Sequence, residues 1–179
     1  IKINSIKTFY AFEPQESIFR ILKRNFSNNK KVRFINMGLS ERPSNKIFYI
    51  NKLSSTSTMS KFNKNSKYLK FKNMLTRSKK NYIDKYLVKT SSIDIFFKKI
   101  KFKNCLLKID VEGFEYNVLE GSKSKIGEIN YILIENQFGN LYENKSFNEI
   151  KNYLYKKKFK VLKKFVFPTL HYQDVIFKK

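Results

Sequence analysis

Two short runs constrain the fold more than anything else in the chain. Cys105-Leu106-Leu107-Lys108-Ile109-Asp110 and Tyr131-Ile132-Leu133-Ile134-Glu135 are nearly continuous in apolar, β-prone side chains, and each ends on a carboxylate. A strand with one wet face alternates apolar and polar residues. A strand covered on both faces does not, and such strands belong to sheets flanked by helices. Between the two runs Gly113 opens a short helix carrying Tyr116, Val118 and Leu119, and Gly121 ends it.

The same alternation extends in both directions. Residues 8–12 are short, aromatic and strand-like, and Glu13-Pro14 stops them. Pro14 suits the first turn of a helix, in which Ile18, Ile21, Leu22 and Phe26 recur at helical spacing. Residues 32–37 form the next strand, stopped by Gly38, and 46–50 form a further short one. Residues 87–90 resume a strand, after which Ser91 or Ser92 caps a helix bearing Ile93, Phe96, Phe97 and Ile100. Ser146-Phe147-Asn148-Glu149 is a capping box that starts a helix running to about Lys157, and 160–165 with 174–177 read as a final strand pair. The order predicts an α/β fold in one domain over 1–179, mostly parallel with an antiparallel C-terminal strand pair. A basic insertion occupies about 53–86, where no acid occurs between Glu41 and Asp84 and a short helix fits within 66–80.

Composition removes several classes of function. Hydrophobic residues at 41% and aromatic residues at 16% suffice to bury a core, which excludes a disordered chain. No run approaches the ~18 apolar residues of a membrane span, and no basic-then-apolar leader is evident. A single cysteine, Cys105, excludes a disulfide framework and a cysteine-built zinc site, and its place at the start of a buried strand makes it a core residue. A soluble, cytoplasmic protein is expected. The 38 basic residues against 14 acidic give a net charge of +24, which raises an alternative: a non-enzymatic basic module binding nucleic acid or another anionic polymer. Only five of the 38 are arginine, the side chain suited to bidentate readout, and A/T-rich codons alone favour Lys, Asn, Ile, Phe and Tyr.

In open α/β sheets ligands bind outside the carboxyl ends of the strands. Those ends carry Glu13, then Asn36, Met37 and Gly38, then Asp110 with Glu112 in the following turn, then Glu135 and Asn136. With 14 acids in the chain, three separate strands place one at this edge. A carboxylate such as Glu13 can accept both ribose hydroxyls of a cofactor, and it follows a glycine-rich turn by roughly 20 residues. That arithmetic runs upstream of Ile1, and residues 1–7 contain no glycine.

Ala11-Phe12-Glu13-Pro14, Leu22-Lys23-Arg24-Asn25, Ser92-Ile93-Asp94, Leu107-Lys108-Ile109-Asp110-Val111-Glu112-Gly113-Phe114-Glu115 and Val118-Leu119-Glu120-Gly121 occur in an order and spacing that resemble the FkbM-type methyltransferase family over about residues 8–140. The resemblance implies a Rossmann-like class I methyltransferase sheet, here N-terminally truncated. It also implies S-adenosylmethionine as cofactor and methylation of a hydroxyl oxygen on a sugar, glycan or secondary metabolite. It assigns Glu13 to the ribose hydroxyls and Asn36, Met37 and Gly38 to the adenine, with Asp110 and Glu112 near the transfer centre. In such a sheet the absent first strand would lie between the strands ending at Phe12 and Asp110, so the 179-residue piece alone is expected to be unstable.

A hydroxyl acceptor needs a base. Asp110 is the first candidate and Glu112 the second, with Glu135 on the adjacent strand end. Asp110, Glu135 and Asn136 offer oxygen ligands suited to Mg²⁺, a placement similar to that in metal-dependent O-methyltransferases. His171, the only histidine, falls in a turn between the last strands. The Ser/Thr-rich run 54–60 with Lys61, Lys64, Lys67 and Lys70 would suit a phosphorylated or acidic acceptor.

Overall fold

The computed structural model describes residues 5–51, 56–66, 69–70, 74, 82–137, 141–166 and 172–179. The elements are β1 Phe9–Phe12, α1 Glu16–Phe26, β2 Val32–Ile35, β3 Gly38–Leu39, β4 Ser44–Ile50, β5 Asp84–Ser91, α2 Ile93–Phe96, β6 Cys105–Ile109, α3 Glu115–Glu120, β7 Ile129–Gln137, α4 Phe147–Lys156, β8 Lys160–Val166 and β9 Tyr172–Lys178, with a 3₁₀ turn at Ile126–Glu128. Among the described residues, no helix is long and apolar enough to cross a membrane.

Local chemistry explains most boundaries. Ser92 Oγ accepts the Ile95 amide at 3.3 Å and starts α2. Ser146 and Glu149 close the expected capping box on α4. Glu16 in the first turn of α1 and Lys23 and Arg24 in its last oppose the helix dipole in the favourable sense. Asp94 ties α2 to the turn after α3 by accepting the Ser124 amide at 3.0 Å and the Lys125 amide at 2.9 Å. Gly121 is required there, because a Cβ would lie 2.1 Å from the Ser40 carbonyl oxygen.

The strands pair as β1–β2, as β3–β5–β4, and as β6–β7–β9–β8. Pairings β1–β2, β3–β5 and β6–β7 are parallel, whereas β4–β5, β7–β9 and β8–β9 are antiparallel. The mixed α/β class and the antiparallel C-terminal pair agree with expectation. The mostly parallel single sheet does not: the described pairings divide evenly and fall into three sheets. The reason is local. Among the described residues no strand lies between β1 and β6, so each keeps an unpaired edge, and Leu106 on β6 stays 43% exposed. The insertion also ends sooner than expected, since β5 begins at Asp84 and pairs along the whole of β4 from Ile50 to Ser44.

The core sits on one face of the four-stranded sheet. Ile109, Ile132, Ile134, Val175 and Phe177 meet Phe114, Val118 and Leu119 around α3, and Ile150 and Leu154 of α4. Each such fully buried aliphatic or aromatic side chain contributes about 1.5–3 kcal/mol. Cys105 is half-buried against this cluster. The β1 strand meets it through rings: Tyr10 packs on Phe97, and Phe12 on Phe96, each edge-to-face at 4.9 Å.

Candidate active site

The end of β6 and the turn beyond it build the site. Asp110 follows the last residue of β6, and Glu112 and Gly113 then both adopt left-handed backbone, with φ of +53° and +86°. That conformation is costly for glutamate, by roughly 1–2 kcal/mol, so the turn needs outside support. Thr58 Oγ1 donates to the Glu112 carbonyl at 2.6 Å and Ser60 Oγ to the Gly113 carbonyl at 2.7 Å. Asn144 Nδ2 donates to the same Gly113 carbonyl. The Tyr142 ring lies over Gly113, where a Cβ would come within 2.2 Å of it.

The two supporting segments also hold each other. The Asn63 amide donates to Leu141 O at 2.9 Å, the Glu143 amide to Lys61 O at 2.7 Å, and the Phe62 and Tyr142 rings pack at 5.4 Å. The hydroxyl-rich insertion, as far as it is described, is therefore a clasp on the carboxylate turn. Ser54, Ser55, Lys67, most of the expected helix within 66–80, and His171 lie outside the described residues.

Parallel pairing of β6 with β7 brings Glu135 beside Asp110. One carboxylate oxygen from each of Asp110, Glu112 and Glu135 lies within 4.8 Å of the others. Burial pushes the Glu112 carboxyl up to about 7, with Glu135 and Asp110 adding to the rise and hydrogen bonds from Gln137 and Tyr142 opposing it. Tyr142 Oη donates to Glu112 Oε2 at 3.0 Å, and Gln137 Nε2 donates to the same oxygen. Burial, then the charge of Asp110, raises Glu135 as well. Asp110 pairs with the Lys108 ammonium at 2.8 Å.

Sequence reasoning did not assign roles to Glu115, Gln137, Tyr142 or Asp174. Glu115 accepts the Gly113 amide at 2.9 Å, and burial raises its carboxyl to about 7. Its place two residues after Gly113 was the available signal. Asp174 faces Glu135 across β7 and β9, a register invisible in one sequence. Glu41 is a structural carboxylate: burial disfavours its charge, but Lys46, Ser40 and Asn117 together hold it at about 2.

The expected cofactor residues stand at other strands than the three carboxylates do. Glu13 ends β1, and among the described residues no hydrogen bond or ion pair joins it to them. One Glu13 oxygen accepts the Gln15 amide at 2.7 Å, while burial raises its carboxyl against that bond. Asn36 Nδ2 donates to the Glu13 carbonyl at 3.0 Å, which locks the ends of β1 and β2 together. Met37 is half-buried. Gly38 is buried in β3 with Met59 against it, a Cβ there meeting Met59 Cε at 3.0 Å. Glu135 lines an open groove of about 810 Å³, together with Glu115, Gln137, Tyr142, Asn144 and Lys164 among others.

Compared with known proteins, the chain matches the model of the methyltransferase FkbM domain over residues 1–161. No curated protein and no solved structure matches it.

Proposed function

The chain belongs to the FkbM methyltransferase family, and on that premise we propose that it transfers a methyl group from S-adenosylmethionine to a hydroxyl oxygen of a sugar, glycan or secondary metabolite. The observation that carries the reading is the convergence of Asp110, Glu112 and Glu135 within 4.8 Å, with Glu135 also lining an open groove. In this reading residues 1–179 act as one Rossmann-like domain in the cytoplasm. When bound, the cofactor supplies an electrophilic methyl on a sulfonium centre.

Glu13 binds the nucleoside. Its second carboxylate oxygen is left to accept from a ribose diol, and its backbone is fixed by Asn36. Met37 lies along the base, and Gly38, packed against Met59, shapes the wall behind it. A neutral hydroxyl is a weak nucleophile, so the acceptor must be held and relieved of its proton. A carboxyl poised near the working pH does this best. Glu112, raised to about 7, therefore takes the base's role. Asp110, anchored by Lys108, and Glu135 orient the acceptor oxygen. Asp110 and Glu135 this close repel each other, and their hard oxygens with that of Asn136 would suit Mg²⁺, which would relieve that repulsion and leave Glu112 as the base.

Calorimetry and methyl-transfer assays on the same preparations test the reading. Glu13→Ala is expected to weaken S-adenosylmethionine binding at least tenfold. Glu112→Gln should leave binding intact and abolish transfer, while the parent rate rises with pH through about 7. Excess chelator should suppress transfer if the metal is used. Cofactor binding indifferent to Glu13, combined with steeply salt-dependent polynucleotide binding, would replace this reading with the basic-module alternative.

A further inference from the structure

Among the described residues, strand β8 is the outer edge of the four-stranded sheet, and it combines the lysines that guard natural edges with exposed large apolar side chains. Natural edges are protected by charge, often lysine, and keep large apolar groups away from solvent. The β8 strand carries Lys160, Lys163 and Lys164, yet interleaves them with Leu162, Phe165 and Val166, which are 56%, 42% and 54% exposed. None of the three lysines forms an ion pair with a described residue. The Lys163 ammonium lies over the Phe165 ring at 4.8 Å. The surroundings have one sign. The sequence places seven lysines and no acid between Glu149 and Asp174, and Lys160 faces Lys178 across the hairpin.

We propose that the β8 edge docks the protein edge-on on an anionic lipid bilayer, with Phe165 and Val166 flanking the edge from opposite faces of the sheet, both reaching the headgroup boundary together with Leu162, and the lysines meeting lipid phosphates. Apolar side chains set among lysines match such a surface in both chemistry and sign. A second copy of the chain fits poorly, because edge-to-edge pairing would set lysine rows against each other. A polynucleotide would use the lysines and stack on Phe165, but it leaves Leu162 and Val166 without a role. The placement has a consequence for the carboxylate rim. Phe165 is in register with Asp174, and Asp174 with Glu135, a separation of two strand spacings, about 10 Å. Docking by β8 therefore holds that rim beside the lipid surface.

The chain contains no tryptophan, so Phe165→Trp gives a single fluorescent reporter on this edge. Its emission should shift to the blue on vesicles of phosphatidylcholine mixed with phosphatidylglycerol, and stay unchanged on phosphatidylcholine alone. In co-sedimentation of the 179-residue chain, a Lys160→Gln, Lys163→Gln, Lys164→Gln triple variant should partition on the order of 100-fold less. The Lys→Arg triple should retain partition, and a Leu162→Ser, Val166→Ser pair should lose roughly tenfold or more. All these positions are exposed, and circular dichroism confirms folding. An unshifted emission maximum, or vesicle binding indifferent to both sets of changes, overturns the proposal. Polynucleotide binding tighter than vesicle binding and insensitive to Leu162 and Val166 overturns it in favour of a nucleic acid. Methyl-transfer activity enters none of these readouts, so the proposal stands or falls apart from the catalytic reading.

Discussion

The N-terminal layer and the C-terminal sheet are written in the same strand–helix alternation, yet they are held together very differently. In the C-terminal sheet β7 has a strand on each side, and Ile132, Ile134, Val175 and Phe177 are completely buried under α3 and α4. In the N-terminal layer, among the described residues, β1 and β2 pair only with each other, over four residues. Helix α1 buries no residue completely, leaving Ile21 and Phe26 exposed. A two-stranded ribbon is marginal by itself, and here it leans on the rest through Tyr10 and Phe12 against Phe96 and Phe97. Amphipathic pattern thus selects the element, while the number of neighbours sets how firmly it is held. The carboxylate turn lies on the firm side and is clasped by Thr58 and Ser60 from the other half of the chain.

The largest expected contrast comes from ring deletions. Phe177→Ala should cost about 3–5 kcal/mol in urea unfolding followed by circular dichroism, and Phe12→Ala roughly half of that or less. Equal costs would break the comparison, because they would make the ring contacts of β1 as consequential as the core.

Glu115 sharpens the account of the firm side. Its folded-state carboxyl titrates at about 7 against an ordinary 4.5. Between those values the folded chain keeps a proton that the unfolded chain has released, so stability falls as pH rises through that window. Glu115→Gln keeps an acceptor for the Gly113 amide and removes the buried charge. It should match the parent near pH 4 and exceed it above pH 7 by up to ~3 kcal/mol. A constant difference across that range would contradict the buried-charge explanation.

The clasp comes next. Thr58→Val deletes the hydroxyl that satisfies the Glu112 carbonyl, and about 1–2 kcal/mol should be lost, with faster amide exchange at Gly113. Unchanged exchange would mean that the left-handed turn holds without its clasp. The smallest effect is expected on the solvent-facing side of the loose layer. Ile21 is 45% exposed, and Ile21→Ser should change stability by no more than about 0.5 kcal/mol. A clearly larger loss would show that α1 is better packed than its exposure implies.

Legibility followed the range of the interaction. The capping box at Ser146, the Ser92 cap and the strand leading to Asp110 depend on neighbours a few residues away, and all three are visible in the sequence. Asp110 and Glu135 stand at the ends of apolar runs and Glu112 in the turn after the first, which makes all three candidates in the sequence, and parallel pairing of β6 with β7 gathers them. Tyr142, Gln137 and Asp174 were not identified, since each reaches the site by chain reversal or cross-strand register, which leaves no local mark. The hydroxyl-rich stretch was visible as a composition, but its function as a clasp depends on contacts more than 50 residues away in the chain.

The sequence by itself determined the α/β alternation, most strand and helix positions, and which carboxylates stand at strand ends, because periodicity and caps are local physics. Tertiary structure alone decided how the strands divide among sheets. It also decided which carboxylate is buried enough to hold its proton near neutral pH, and which apolar edge is left facing water. Those outcomes depend on what packs against each residue from elsewhere in the chain.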